Sequence, residues 1–314
     1  MSSRFVRGIL AILPALLLPG CAAKRDAGEL FGPSEAGTLV LDAILTVGRP
    51  MPDVYLMEAL DPSQPFVANA PDVISMEINQ GEGINRVTYE SVVEVRGRFK
   101  TNSTAMILPE TRYYFHAVLA DGREIRATTM TPPAFDVTRW VLLEEDAETV
   151  RQTFRTYEQN GDFVYEQPEN QVTYAEGLLE AQFTRPDVPA FQVSIESLDL
   201  DSDLVIDPDF LSDEQIADLE RTQSSPAIAG DEGTLRLPWL AIYYEGRYRL
   251  RAYAIDQNWY DLVRTSPDFG GGGPGFGGSA GDSFERPLFR VEGGIGLFGS
   301  ASVDSVGFYV HPRP

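Results

Sequence analysis

From Thr38 onward, hydrophobic and polar residues alternate in short runs: TLVLDAILTV, DVYLMEAL, DVISMEI, RVTYESVVEV and AMILPETRYYFHAVLADGREIRATTM, parted by Pro, Gly, Asn and Asp. A period of two, with many β-branched and aromatic residues, predicts half-buried strands rather than helices. In the last run Tyr113, Phe115, Ala117 and Leu119 fall on one face, and Asp121-Gly122 supplies a hairpin turn before Ile125–Met130. Thr131-Pro132-Pro133 ends the pattern, because proline has no N–H to give to a ladder. Residues 38–133 are therefore expected to form a first antiparallel β-sandwich, immunoglobulin-like or fibronectin-III-like.

Residues 134–314 are expected to form a second sandwich of the same kind, with strands over Val137–Leu143, Gln171–Phe183 and Phe191–Leu198. The spacing of Val150, Phe154 and Tyr157 predicts a short helix over Ala147–Tyr157. Ser212 and Gln215 have the spacing of a capping box, and Ile216 and Leu219 supply an apolar face, which predicts a helix over Asp213–Arg221. Gly270–Gly281, GGGGPGFGGSAG, reads as a flexible loop. A phosphate loop would need GxxxxGK[ST] and a following helix, and no lysine lies near. Closing strands are expected within residues 289–311, where the glycines at 293, 294, 296 and 299 predict a bulge or tight bend between closely approaching backbones. The resulting fold class is all-β: two tandem sandwiches with one or two short helices and a glycine-rich loop.

An internal comparison supports the pairing of two similar halves. Glu110–Pro133 aligns without gaps with Glu245–Asp268, with identities at Glu110/Glu245, Arg112/Arg247, Tyr113/Tyr248, Ala117/Ala252, Asp121/Asp256 and Pro132/Pro267. Each half is expected to carry one comparable hairpin. A tyrosine entering a late sandwich strand can bond back to nearby backbone as a corner lock, so Tyr113 and Tyr248 are read as structural.

The N-terminal residues change the picture from fold to location. Arg4 and Arg7 precede an apolar run from Ile9 to Leu18, and Leu18-Pro19-Gly20 stands just before Cys21. This is the pattern of a secretory signal over residues 1–20, too short for the roughly 20 apolar residues of a spanning helix. Leu-x-Gly-Cys resembles the bacterial lipobox, which implies lipidation of Cys21 and cleavage before it. The sole cysteine of the chain is thereby explained, and no disulfide is expected. Two or three acyl chains anchor stably where one holds marginally. Residues 21–37, polar with Gly and Pro, read as a tether. Ala22, rather than aspartate, after the cysteine points to the outer membrane.

A formal net charge of −22 over 314 residues sets nucleic acid aside as a partner, since phosphate backbones are held by clustered Lys and Arg. Candidate chemistry is sparse. His116 and His311 are the only histidines, and no Cys/His cluster suits zinc or iron. Asp199-x-Asp201-x-Asp203 opens like a calcium loop, with Asp207 and Asp209 as further oxygen ligands. The EF-hand pattern then fails, because Leu204 stands in the glycine position and Phe210 in the glutamate position. No other cofactor is indicated. Arg247, Arg249 and Arg251 alternate on one strand face, either as an anion clamp or as a solvated row paired with acidic residues. Asn102-Ser103-Thr104 fits a glycosylation sequon.

The segment GGIGLFGSASVDSV and the run ETRYYFHAVLADGREIRATTMTPP, together with the lipobox, resemble an uncharacterised family of Gram-negative outer-membrane lipoproteins, domain of unknown function 4249. Its members are often encoded beside TonB-dependent receptors. The resemblance implies an outer-membrane location and association with a receptor, and it carries no site residue. The expected function is that of a lipid-anchored, non-enzymatic binding protein of the envelope, accessory to such a transporter. The alternatives are an adhesion or structural envelope protein and a glycan hydrolase acting through two carboxylates.

Overall fold

The computed structural model describes residues 36–60, 69–81, 85–155, 170–174, 177–184, 186–206, 219–228, 233–238, 242–265 and 287–313. The secretory stretch, Cys21, the tether up to residue 35, the start of the helix predicted over Asp213–Arg221 and the glycine-rich loop lie outside the described residues.

The alternation seen in the sequence becomes strand after strand. The first eight are β1 (Leu39–Thr46), β2 (Val54–Glu58), β3 (Val73–Gln80), β4 (Asn85–Thr88), β5 (Glu90–Ser91), β6 (Arg98–Lys100), β7 (Arg112–Leu119) and β8 (Glu124–Met130). They are followed by β9 (Val137–Leu143), β10 (Val150–Phe154), β11 (Gln171–Thr173), β12 (Leu178–Phe183), β13 (Ala190–Ser197), β14 (Thr222–Ser224), β15 (Thr234–Pro238) and β16 (Gly246–Ile255). A helix, α1 (Gln257–Thr265), then precedes β17 (Val291–Glu292) and the long β18 (Gly294–His311). The fold is all-β and of sandwich type.

Among the described residues, three sheets make two large cores, with a small third cluster at Ala190, Ile255 and Ala301. A nine-stranded sheet runs β14-β13-β16-β18-β1-β2-β6-β5, with β11 also on β18. One part of it faces the five-stranded sheet β17-β8-β7-β3-β4, and the other faces the four-stranded sheet β10-β9-β12-β15. Leu39, Leu41, Ala43 and Leu45 of β1 and Tyr113, Phe115, Ala117 and Leu119 of β7 interlock in the first core. The second gathers Trp140 and Leu142 of β9, Phe191 and Val193 of β13, and Tyr248 and Leu250 of β16. There Phe183 packs edge-on against Phe135 and tilted against Phe191, with ring centroids 5.1 and 4.8 Å apart, within the range favoured by aromatic pairs.

β18, expected among the closing strands of the second sandwich, serves both cores. Gly294–Ala301 pairs in parallel with β1, and Ala301–Val310 pairs antiparallel with β16. One face of this strand changes character along its length. Phe298 enters the first core, Ser300, Ser302 and Asp304 follow, and Val306, Phe308 and Val310 enter the second. The polar stretch receives the chain as it crosses between cores. The Ser302 hydroxyl accepts the N–H of Phe135 at 2.9 Å, and Asp304 Oδ2 accepts that of Val137 at 2.7 Å. The expected close approach of backbones is present as well: a Cβ on Gly293 would strike the Glu124 carbonyl oxygen, and one on Gly296 that of Leu41, and both glycines have positive φ.

Both tyrosine corners form. Leu108 N–H donates to the Tyr113 hydroxyl at 2.9 Å, and Tyr244 N–H donates to the Tyr248 hydroxyl at 2.9 Å.

Two local expectations are corrected. Of the helix expected over Ala147–Tyr157, the described part, residues 147–155, is not helical: Val150–Phe154 is β10, paired with β9 behind a turn in which Asp146 Oδ1 accepts the N–H groups of Glu148 and Thr149. The ladder with β9 and burial of Phe154 beside Trp140 override the helical spacing. The second half also carries no copy of the β7–β8 hairpin. Asp121 accepts Arg123 N–H in a turn completed by Gly122 at φ +87°, whereas Asp256 caps α1 by accepting Trp259 N–H at 2.9 Å. The position of Gly122 holds Gln257 in the second half, and a left-handed turn residue is costly there without glycine.

Candidate functional site

The outer face of the five-stranded sheet holds a groove of about 550 Å³. Its floor follows from strand register. Glu77 of β3 lies opposite His116 of β7, His116 opposite Arg126 of β8, and Arg126 opposite Glu292 of β17, so one row reads Glu-His-Arg-Glu across four strands. The neighbouring row places Asn79 opposite Tyr114 and Tyr114 opposite Thr128. Alternation sends these side chains outward because Ile78, Phe115 and Ala127 between them fill the first core.

The ionic groups on this face are mutually engaged. Glu77 pairs with Arg86 and also accepts the Asn79 amide at 2.9 Å. Glu124 binds Arg126 and lies 3.2 Å from His116 Nε2. Exposed pairs of this kind contribute at most about 1 kcal/mol each, so their effect is to orient side chains rather than to hold the fold.

α1 sets the rim. Asn258 donates its amide hydrogens to the carbonyls of Thr128 at 2.7 Å and Phe298 at 2.9 Å, bridging the two sheets of the first core. Asp261, fully buried, accepts Arg290 Nε, Arg264 Nε and Gln257 Nε2, each at 2.9 Å. Burial alone would raise its carboxyl, but the bonds from Arg290, Arg264 and Gln257 outweigh that and hold it below the ordinary carboxylate range. Leu288 N–H donates to Thr265 Oγ1 at 2.8 Å, so the segment carrying Phe289 and Arg290 is tied to the helix where it borders the groove.

Asp256, at the head of α1, reaches the interior. Its Oδ2 accepts hydroxyl hydrogens from Thr129 and, at 3.2 Å, from Ser300, while Ser300 Oγ lies 3.0 Å from Thr129 Oγ1. Burial pushes its pKa up to about 6, against the opposing pull of Thr129, Trp259 N–H and Ser300.

Of the residues singled out from sequence, Cys21, Asp207 and Asp209 lie outside the described residues. Asp199 is held by Arg247, accepting its backbone N–H and its Nε at 2.7 Å each, and these bonds keep the carboxyl low. Asp201 and Asp203 are exposed. Among the described residues, no group of three or more His, Cys, Asp or Glu is placed to hold a metal. In the arginine row, Arg247 engages Asp199 and Arg251 engages Glu196 at 2.9 Å, the arrangement of a solvated row. His116 lies in the groove, whereas His311 ends β18 beside Gln171, at 3.1 Å. No helix among the described residues is long and apolar enough to cross a membrane.

Sequence reasoning passed over Glu77, Asn79, Tyr114, Arg126, Thr128, Asn258 and Glu292. The available signal was the outward half of each alternation. Comparison with protein-family models finds no match, and comparison with curated proteins finds none either.

Proposed function

We propose that this chain is a lipid-anchored, non-enzymatic binding protein of the cell envelope, held in the outer membrane through Cys21 and accessory to a TonB-dependent transporter. The groove on the five-stranded sheet is its binding face. The observation that carries the binding role is the pair of strand-registered rows, Glu77-His116-Arg126-Glu292 and Asn79-Tyr114-Thr128, on a concavity of about 550 Å³. That volume lies within the roughly 300–1,000 Å³ of small-ligand sites, and sites built on strands hold their geometry better than sites on loops. The anchor is supported by the Leu-x-Gly-Cys ending of the secretory stretch, and the transporter association by the resemblance of the GGIGLFGSASVDSV segment.

The test is purification from native membranes of the wild type and of Cys21→Ser. The wild type should fractionate with the outer membrane and bring a receptor with it, and Cys21→Ser should leave the membrane fraction. A wild type that enters the outer membrane with no receptor counts against the accessory role and favours adhesion. Retention of Cys21→Ser in the membrane overturns the lipid anchor.

A further inference from the structure

The ionic groups bordering the groove already have opposite charges beside them. Glu77 is matched by Arg86, Arg126 by Glu124, and Arg290 by Asp261. His116 faces Glu124, and Glu292 stands directly opposite Arg126 across the β8–β17 ladder. A charged ligand entering here would exchange one ion pair of a largely exposed arginine for another, so its own ion pair would bring little net gain. A net charge of −22 further disfavours anions at the approach.

Neutral hydrogen-bonding groups remain. Among the described residues, the hydroxyls of Tyr114 and Thr128 make no hydrogen bond. Asn258 spends both amide hydrogens on the Thr128 and Phe298 carbonyls, which leaves its Oδ1 as an acceptor. Asn79 gives one hydrogen to Glu77 and keeps its own Oδ1. Hydroxyls both donate and accept, and amide oxygens accept. The complementary ligand therefore carries groups that donate and accept from the same atom, several of them, at fixed spacing. Tyr114 and Phe289 add aromatic surface in the same groove, which suits a ligand with an apolar C–H face behind its polar edge.

We infer that the groove binds a neutral, polyhydroxylated ligand, a short uncharged oligosaccharide. This rests on the groove being the binding face and names the class of ligand it takes.

The protein lacking its first 20 residues, with Cys21→Ser, is applied to an array of neutral and anionic oligosaccharides. The best neutral ligand is then titrated by calorimetry at low and high salt, beside free amino acids and short peptides. A neutral glycan should bind with a Kd below about 1 mM, with affinity unchanged within about twofold by salt, because no ion pair is made. Tyr114→Ala should weaken it about tenfold or more through lost apolar contact and the lost hydroxyl. Tyr114→Phe should retain part of that loss, and Gln152→Ala on β10, in a different sheet, should bind as wild type. Tyr114 is half-buried on the outer face and takes no part in the first core, so Tyr114→Ala should still fold, checked by a single cooperative melt. Thr128→Val replaces one hydroxyl without changing shape and gives a second reading of the same site. The inference is overturned if no neutral glycan binds, if anionic glycans or amino acids bind instead, or if both Tyr114→Ala and Thr128→Val bind as wild type. An empty array alongside a co-purifying receptor removes the ligand class and leaves the accessory role standing. Glycan binding without a receptor does the reverse.

Discussion

Asp256 holds Thr129 on the same carboxylate that caps α1: Oδ2 takes the threonine hydroxyl, and Oδ1 takes the N–H of Trp259 at 2.9 Å. A helix start and a strand of the five-stranded sheet thus share one buried charge. Burial lifts this carboxyl from 3.8 to about 6. Between those values the folded state keeps a proton that the unfolded state has released. Its contribution is fully present below about pH 3.8, is lost as pH rises to about 6, and is flat above. Asp256→Asn does not titrate and still caps a helix. Relative to that variant, the wild type should lose about 3 kcal/mol between pH 3.5 and pH 7. Urea melts at half-unit intervals measure the difference, and parallel pH profiles for the two proteins would refute the assignment.

Much of the fold was legible because its signals are local. Alternation located β1, β7, β8 and β16, the glycines of the C-terminal stretch announced close backbone approach, and Tyr113 and Tyr248 announced their corners. What escaped depended on partners distant in sequence. Val150, Phe154 and Tyr157 have helical spacing, yet β9 supplies a ladder that spacing cannot foresee. Six identities joined Asp121 to Asp256, yet glycine at 122 against glutamine at 257 turned one into a hairpin and the other into a helix cap. The groove was legible only in part. Each strand shows which residues face out, but the row from Glu77 to Glu292 needs the registers of four strands, one of them more than 160 residues further along the chain.

The two corners make a matched pair of tests. Tyr113→Phe leaves the Leu108 N–H without its acceptor, and Tyr248→Phe removes both the acceptor of Tyr244 N–H and a 3.1 Å donor to the Tyr244 carbonyl. A loss of about 1 kcal/mol is expected for the first and about 1–2 kcal/mol for the second. Chemical denaturation with unchanged m-values checks both, and stability equal to wild type in each would mean that water replaces the lock.

Gly296 should tolerate no side chain. It sits at φ +110°, and an added Cβ would meet the Leu41 carbonyl inside the β1–β18 ladder. Gly296→Ala is expected to cost about 3 kcal/mol or more, read as a fall in the urea midpoint. Gly48→Ala, at φ +74° with open space around it, should cost only about 1 kcal/mol.

Tyr89 offers a change in the opposite direction. Its hydroxyl is buried and has no hydrogen-bond partner among the described residues, and burial followed by the nearby Asp53 charge pushes its pKa up. Tyr89→Phe removes a group whose desolvation is uncompensated. A neutral result or a gain of up to about 1 kcal/mol is expected, and a clear loss in thermal melts would show that the hydroxyl is satisfied.

The strand shared by both cores gives the molecule an order of assembly. In directional synthesis β1 emerges about 255 residues ahead of its parallel partner, Gly294–Ala301. The first sandwich therefore cannot close ahead of the second, and both wait for the same final strand. Such long-range pairing slows folding and leaves the edge of β1 uncovered in the interval, a state prone to aggregation. The two halves are thus one folding event, and on the export proposed above it would be completed only after translocation.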